Sequence, residues 1–423
     1  MTSRGAAISA GGPGRTVGRV VSAVVAALVG ALTFATPAWA HGADAPNGTD
    51  YRTEVREVTP AVPELTVRVI EAGARLELVN RTGRTIEVLG YSGEPYLAVR
   101  PDGVYENVNS PATYLNRTLA GDTTLPANAN PATAPSWQRV STEPVARWHD
   151  QRTQWREAGL PRAAQVDPGR EHRIRDWAVP LRDGTSALEI RGTLDWVPPP
   201  SPLLWWAITL LLAVLVAALG RATMGPTTPV PASGPVTDPV TPGEETGLSR
   251  TGTIALAVLS AIGGVAAISF AVAREFDAGA TGFGDLLQGL LTGQIWAVLT
   301  GLGALAAGAY ALARRPAADF ALALAGACLA LFAGVTNAAA FARSIVPVPW
   351  PATPARFVVA LTIVTGAGVG LAGVLRLRAA GRAGAAGIAS TGTGDPTPAG
   401  QESPVPAGQQ DPAEPDAAGR PGG

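Results

Sequence analysis

The chain has no lysine: all 32 of its basic residues are arginines, spread over 423 positions. That removes Schiff-base chemistry, the phosphate-binding lysine of a P-loop and the Ser-x-x-Lys nucleophile. Cysteine occurs once, at Cys328, inside an apolar run. An intrachain disulfide and a cysteine-based zinc site are therefore excluded. Histidine occurs three times, at His41, His149 and His172. Charged residues make up only 15% of the chain, against 47% hydrophobic. That balance is poor in charge for a soluble protein and fits several membrane segments. The net charge of −1 supplies no field for nucleic acid, which is not expected as a partner.

What is present divides into blocks. Arg4, Arg15 and Arg19 precede the apolar stretch from Val20 to Phe34, and Ala38 and Ala40 form an A-x-A site. Residues 1–40 thus read as a secretory signal peptide, and cleavage after Ala40 makes His41 the first mature residue. Residues 41–202 read as an extracytoplasmic β-rich domain. "LTVRVI" (65–70), "ARLELV" (74–79) and "TIEVLG" (85–90) alternate apolar and polar side chains. "YLAVRPDGVYEN" (96–107) reads as two strands around a Pro-Asp-Gly turn, and 172–181 and 187–197 as two more. Short alternating runs split by turns point to a β-sandwich, with Trp137, Trp148, Trp155, Trp177 and Trp196 as bulk for its core. In 145–160, Trp148 and Trp155 stand seven apart, which predicts a short helix with both on one face.

Five apolar runs follow, at Leu203–Leu219, Ile254–Ala273, Ile295–Ala313, Ala317–Ala340 and Phe357–Leu375. Each is near the length that crosses a bilayer, so 203–380 reads as a five-span transmembrane domain with lipid as a partner. With the first domain outside, alternation puts Arg221, Arg314, Arg315, Arg376 and Arg378 inside, and the C-terminus is cytoplasmic. Trp205, Trp206, Trp296 and Trp350 fall at the outer interface. No charged residue stands at the centre of a span, which argues against a pump. Asn337 is the most polar group inside a run and is expected to bond a neighbouring helix. Ser260-x-x-x-Gly264 and Gly366-x-x-x-Gly370 are expected as close-packing faces. The proline-rich stretch 344–354 either touches the outer domain or is a tight connector. The Pro/Thr/Gly-rich linker 225–250 and the Gly/Ala/Pro-rich tail 381–423 carry too little apolar surface to fold and are expected to be disordered.

Chemistry has few carriers. A free N-terminal histidine can chelate with its amine and imidazole, a set that suits Cu(II). His41 and His149 are therefore the candidate metal ligands and copper the candidate cofactor, with His172 as a possible third imidazole. "GYSGE" (90–94) approaches a nucleophile elbow but lacks its second glycine, so no catalytic constellation is expected.

The stretches "LELVNRTGRTIEVLGYSGEPYLAVRPDGVYENVNSPATYLNR" (76–117), "RWHDQRTQW" (147–155) and "GTLDWVPPPSP" (192–202) resemble the outer domain of uncharacterised membrane proteins of high-GC Gram-positive bacteria. Those proteins have a signal peptide, an extracytoplasmic domain and a multi-span C-terminal region. The resemblance implies a pattern W-H-D-H-R-x-H-W, of which His149 is kept while Gln151 and Gln154 replace the other two histidines. The resulting expectation is an extracytoplasmic all-β sandwich-like domain followed by an all-α five-helix transmembrane bundle. Its outer domain would bind a ligand or a protein partner without catalysis, and copper handling through His41 and His149 is the alternative.

Overall fold

A computed structural model describes residues 47–223 and 247–391. The signal peptide, His41, most of the linker and the end of the tail lie outside the described residues. Ten antiparallel strands form the first part: β1 (Tyr51–Thr59), β2 (Leu65–Ile70), β3 (Arg75–Asn80), β4 (Ile86–Leu89), β5 (Pro95–Arg100), β6 (Gly103–Asn107), β7 (Trp137–Ser141), β8 (Val145–Trp148), β9 (His172–Asp183) and β10 (Ser186–Trp196). They make a seven-stranded sheet in the order β1-β10-β9-β4-β5-β6-β7 and a three-stranded sheet β2-β3-β8. Inward side chains of both sheets share one core, including Leu76, Leu78, Trp148, Ile86, Val99, Val179 and Ile190. The sandwich is as expected, because period-2 alternation decides which face is buried.

Two readings of this part need correction. The stretch 145–160 is not a helix: Val145–Trp148 pairs with β3, and only Gln151–Thr153 turns, as one turn of 3₁₀ helix. The seven-residue Trp spacing comes from Trp148 ending a strand and Trp155 lying beyond the turn. Both still reach the core, Trp148 fully and Trp155 at its edge. The strands β1 and β7 were not anticipated; "YRTEVREVT" and "WQRVS" expose mostly polar side chains at the two edges of the large sheet.

Short helices α1 (Pro111–Leu115) and α2 (Arg162–Val166) lie within the sandwich connections. The second part is helical: α3 (Pro202–Ala222), α4 (Gly247–Asp277), α5 (Phe283–Thr292), α6 (Ile295–Leu312), α7 (Ala318–Leu329) and α8 (Ala352–Thr391). Five of the helical stretches are long and apolar enough to cross a membrane. Ser201 caps α3, its Oγ accepting from Leu204 N at 3.4 Å, and Pro202 sets the first turn. Two edges of the domain reading shift: α4 begins at Gly247, inside the expected linker, and α8 continues to Thr391, inside the expected tail.

Small residues set the helix spacing. A Cβ on Gly326 of α7 would lie 2.6 Å from the Gly366 carbonyl oxygen of α8, so the two backbones touch there. Ser260 Oγ of α4 donates to the Ala304 carbonyl of α6 at 2.8 Å. The expected packing faces are thus both in use. Beyond Leu329 the helix loosens into a π turn (Ala330–Gly334) and a 3₁₀ stretch (Val335–Phe341). Such a loosened end re-aims side chains. Here it presents Asn337, whose Oδ1 accepts from Arg274 of α4 at 3.0 Å, the interhelical bond expected of it.

Candidate binding cleft at the junction of sandwich and bundle

The two parts are locked together by residues far apart in the chain. Asp50, just ahead of β1, is 5% exposed. Its Oδ2 accepts from Arg343 at 2.6 Å and its Oδ1 from the Ser344 amide at 3.0 Å. Ser344 Oγ donates to the Val197 carbonyl at 2.6 Å. Thr49 and Ile345 exchange backbone hydrogen bonds of 3.0 and 2.8 Å. Gly48 makes this approach possible: its φ is +138°, and a Cβ would lie 2.8 Å from the Ile345 carbonyl oxygen. The proline-rich stretch 344–354 therefore touches the sandwich and is more than a connector. Arg356 holds it from below, donating to the carbonyls of Ala340, Arg343 and Ser344.

A second lock lies at the end of α4. The Ala72 amide donates to Asp277 Oδ2 at 2.9 Å. Arg147 of β8 donates to the Gly279 carbonyl at 2.6 Å and to the buried Glu77 at 2.7 Å. Glu71 and Ala72 carry left-handed backbone, with φ of 54° and 53°. Such conformations cost roughly 1–3 kcal/mol each and persist where the surroundings over-determine them. Here the Asp277 bond and the Ala74 N to Glu71 O bond supply that constraint.

Between these locks opens a cleft of about 490 Å³, lined by Thr49, Tyr51, Thr53, Ala72–Ala74, Leu119, Ala120, Gln154–Arg156 and Leu194. Thr49 and Ala72 in its wall belong to the segments that hold the bundle. Tyr51 and Trp155 stack, with ring centroids 6.2 Å apart, and supply an aromatic face. Gln154 reaches across to the Ala74 carbonyl at 2.9 Å, and Thr53 Oγ1 donates to the Thr153 carbonyl at 2.9 Å. Arg156 points its guanidinium at the carbonyls of Leu119 and Ala120. An aromatic face bordered by amide, hydroxyl and guanidinium groups suits an amphipathic ligand.

His149 sits directly behind this wall. It is 2% exposed, its Nδ1 lies 2.8 Å from the Ala74 carbonyl and its Nε2 accepts from Arg75 Nε at 3.2 Å. The Ala74 carbonyl fixes the proton on Nδ1, and the guanidinium takes the other lone pair. A cationic neighbour on the coordinating nitrogen opposes a metal ion, so these surroundings do not fit copper. His172 opens β9, and its Nε2 lies 2.7 Å from the Asp167 carbonyl. Among the described residues, no three His, Cys, Asp or Glu side chains converge as a metal site. His41 lies outside the described residues.

Asp150, next in the chain, is fully buried and carries a different task. It accepts from Trp148 Nε1 at 3.1 Å and from Arg152 Nε and Nη2, each at 2.8 Å. Arg152 in turn lies over the Tyr91 ring, 4.9 Å from its centroid. Burial and the Asp150 charge push the Tyr91 phenol up to about 12, so it keeps its proton and donates to Asn116 Oδ1. This network pins the turn that carries Gln154 and Trp155 into the cleft. In the "GYSGE" stretch, Ser92 is exposed on a hairpin turn closed by the Gly90 N to Glu94 O bond of 2.7 Å. It is a turn residue.

Neither Asp50 nor Glu71 stood out in the sequence. Asp277 and Arg343 follow the apolar runs that end at Ala273 and Ala340, and their partners lie 205 and 293 positions away in the chain. Comparison with known protein families, curated proteins and solved structures gives no match.

Proposed function

We propose that the chain is a plasma-membrane protein whose sandwich lies on the outer face and serves as a binding module, with the junction cleft as its ligand site. The far ends of the helices carry Arg221, Arg314, Arg315, Arg376 and Arg378, which supports an inside location for those ends. The observation that carries the reading is shared construction: Thr49 and Ala72 line the cleft and also bond the bundle. A ligand held there touches sandwich residues only, but two of them, Thr49 and Ala72, are bonded to the helical part. The side chains that face it stack and hydrogen-bond, which supports binding without catalysis. The ligand is amphipathic, with a flat apolar face for Trp155 and polar groups for Gln154 and Arg156.

The test is a thermal-stability screen of the purified full chain against oligosaccharides and short peptides. A true ligand raises the melting temperature. Its effect should vanish in Trp155→Ala and Gln154→Ala but persist in Trp137→Phe, on the distant edge strand. Ligand stabilisation that survives both cleft substitutions would sink the assignment.

A further inference from the structure

The end of the bundle away from the sandwich holds a second concavity, of about 440 Å³, among α4, α6, α7 and α8. Its charged groups are Arg250, Arg314, Arg315, Arg376 and Asp319, four guanidiniums to one carboxylate. Arg376 is 2% exposed and forms the floor. It donates to the Gly220 carbonyl at 2.8 Å, to Thr253 Oγ1 at 3.2 Å and to Thr223 Oγ1 at 3.1 Å, with Asp319 at 3.5 Å. The single carboxylate is thereby directed at the floor. Arg250, Arg314 and Arg315 are exposed at the rim, and among the described residues their guanidiniums have no hydrogen-bond or ion-pair partner. The first turn of α7 opens onto the same space: Ala317, with φ of 62°, offers no side-chain cap. Its uncapped amides add positive potential. Below the arginines, Ile254, Leu312 and Leu377 give the concavity an apolar side.

Arginines that only set topology need no concavity between helices. Here they converge on one, at the ends of helices long and apolar enough to cross a membrane, with an apolar wall beside them. Guanidiniums match phosphate oxygens bidentately. We propose that this cup binds the phosphate group of an anionic phospholipid, held by Arg250, Arg314 and Arg315, with the glycerol and upper acyl carbons against Ile254 and Leu312.

The experiment is native mass spectrometry of the full chain in detergent, titrated with phosphatidylglycerol and, separately, phosphatidylcholine. Phosphatidylglycerol should bind in preference. At roughly the surface value of one arginine each, the R314Q/R315Q pair should weaken that binding about thirtyfold. Arg221→Gln, at the same membrane face but outside the cup, should leave it unchanged. If the pair destabilises the fold, Arg250→Gln carries the test with about a fivefold loss. Equal binding of both lipids, or an equal loss in Arg221→Gln, overturns the proposal. Displacement of the lipid by millimolar inorganic phosphate or pyrophosphate would make the source soluble phosphate and overturn the lipid assignment.

Discussion

Glu71 makes the junction sensitive to pH. Its Oε1 accepts from Arg75 at 3.3 Å, while its buried Oε2 has no hydrogen-bond partner. Burial raises its carboxyl above the ordinary 4.5; Arg75 opposes this, Asp277 adds to it, and Arg147 and Arg274 oppose it more weakly. The folded state therefore holds this proton more tightly than the unfolded chain. The resulting stabilisation is fully present below about 4.5 and is lost as the pH rises through the raised folded value. Glu71→Gln mimics the protonated form. Its melting temperature should fall less than that of the parent chain between pH 4.5 and 7. Parallel melting curves for the two chains across that window would show that Glu71 does not titrate at the junction.

At the scale of elements, α7 and α8 are held by absence of side chain. Methylating the contact by Gly326→Ala places a carbon 2.6 Å from the Gly366 carbonyl, which must move. Overpacking of this kind costs about 1–3 kcal/mol. Gly303→Ala in α6 is the matched control, because a Cβ there meets nothing within 4 Å. It should be neutral or stabilise by up to about 1 kcal/mol through helix propensity. Thermal unfolding of both variants in the same detergent separates the outcomes, and equal melting temperatures would remove the close-contact argument. The elements show what a sequence can reveal. The strands β2 to β6, β9 and β10 and the five spans were legible because alternation and apolar length are local signals. The helix expected over 145–160 failed because a spacing of seven is ambiguous when a strand and a turn can also produce it. β1 hid because a register shift between Val55 and Glu57 breaks its alternation, and β7 because the middle of this short edge strand is exposed whether polar or apolar. At the candidate site, Trp155 and His149 stand out in the sequence as an aromatic and a scarce imidazole, but no local pattern places His149 behind the cleft wall. Its partners Ala74 and Arg75 stand 75 and 74 positions away in the chain.

At the scale of the whole molecule, the question is whether sandwich and bundle move as one body. A tether would need only the 197–202 connector. Instead Asp50 meets Arg343 and Ser344 across 293 and 294 positions, pairings no local pattern announces. Asp50 is nearly buried, whereas the Arg343 side chain is 52% exposed, so solvent screens their attraction. A double-mutant cycle of Asp50→Ala and Arg343→Gln should therefore give a coupling at the low end for contacting residues, about 0.5–1 kcal/mol. The larger effect of Asp50→Ala alone comes from the Ser344 amide, which loses its acceptor while staying buried, at a cost of about 1–3 kcal/mol. Hydrogen exchange locates that cost. The amides of Thr49, Ser344 and Ile345 should all exchange faster in Asp50→Ala, on the sandwich and the bundle side together, while the β9–β10 ladder stays protected. Faster exchange confined to 343–348, with Thr49 unchanged, would mean that the bundle loop frays alone. The junction would then be a contact between independent parts, and a ligand in the cleft would have no mechanical path from the sandwich into the helices.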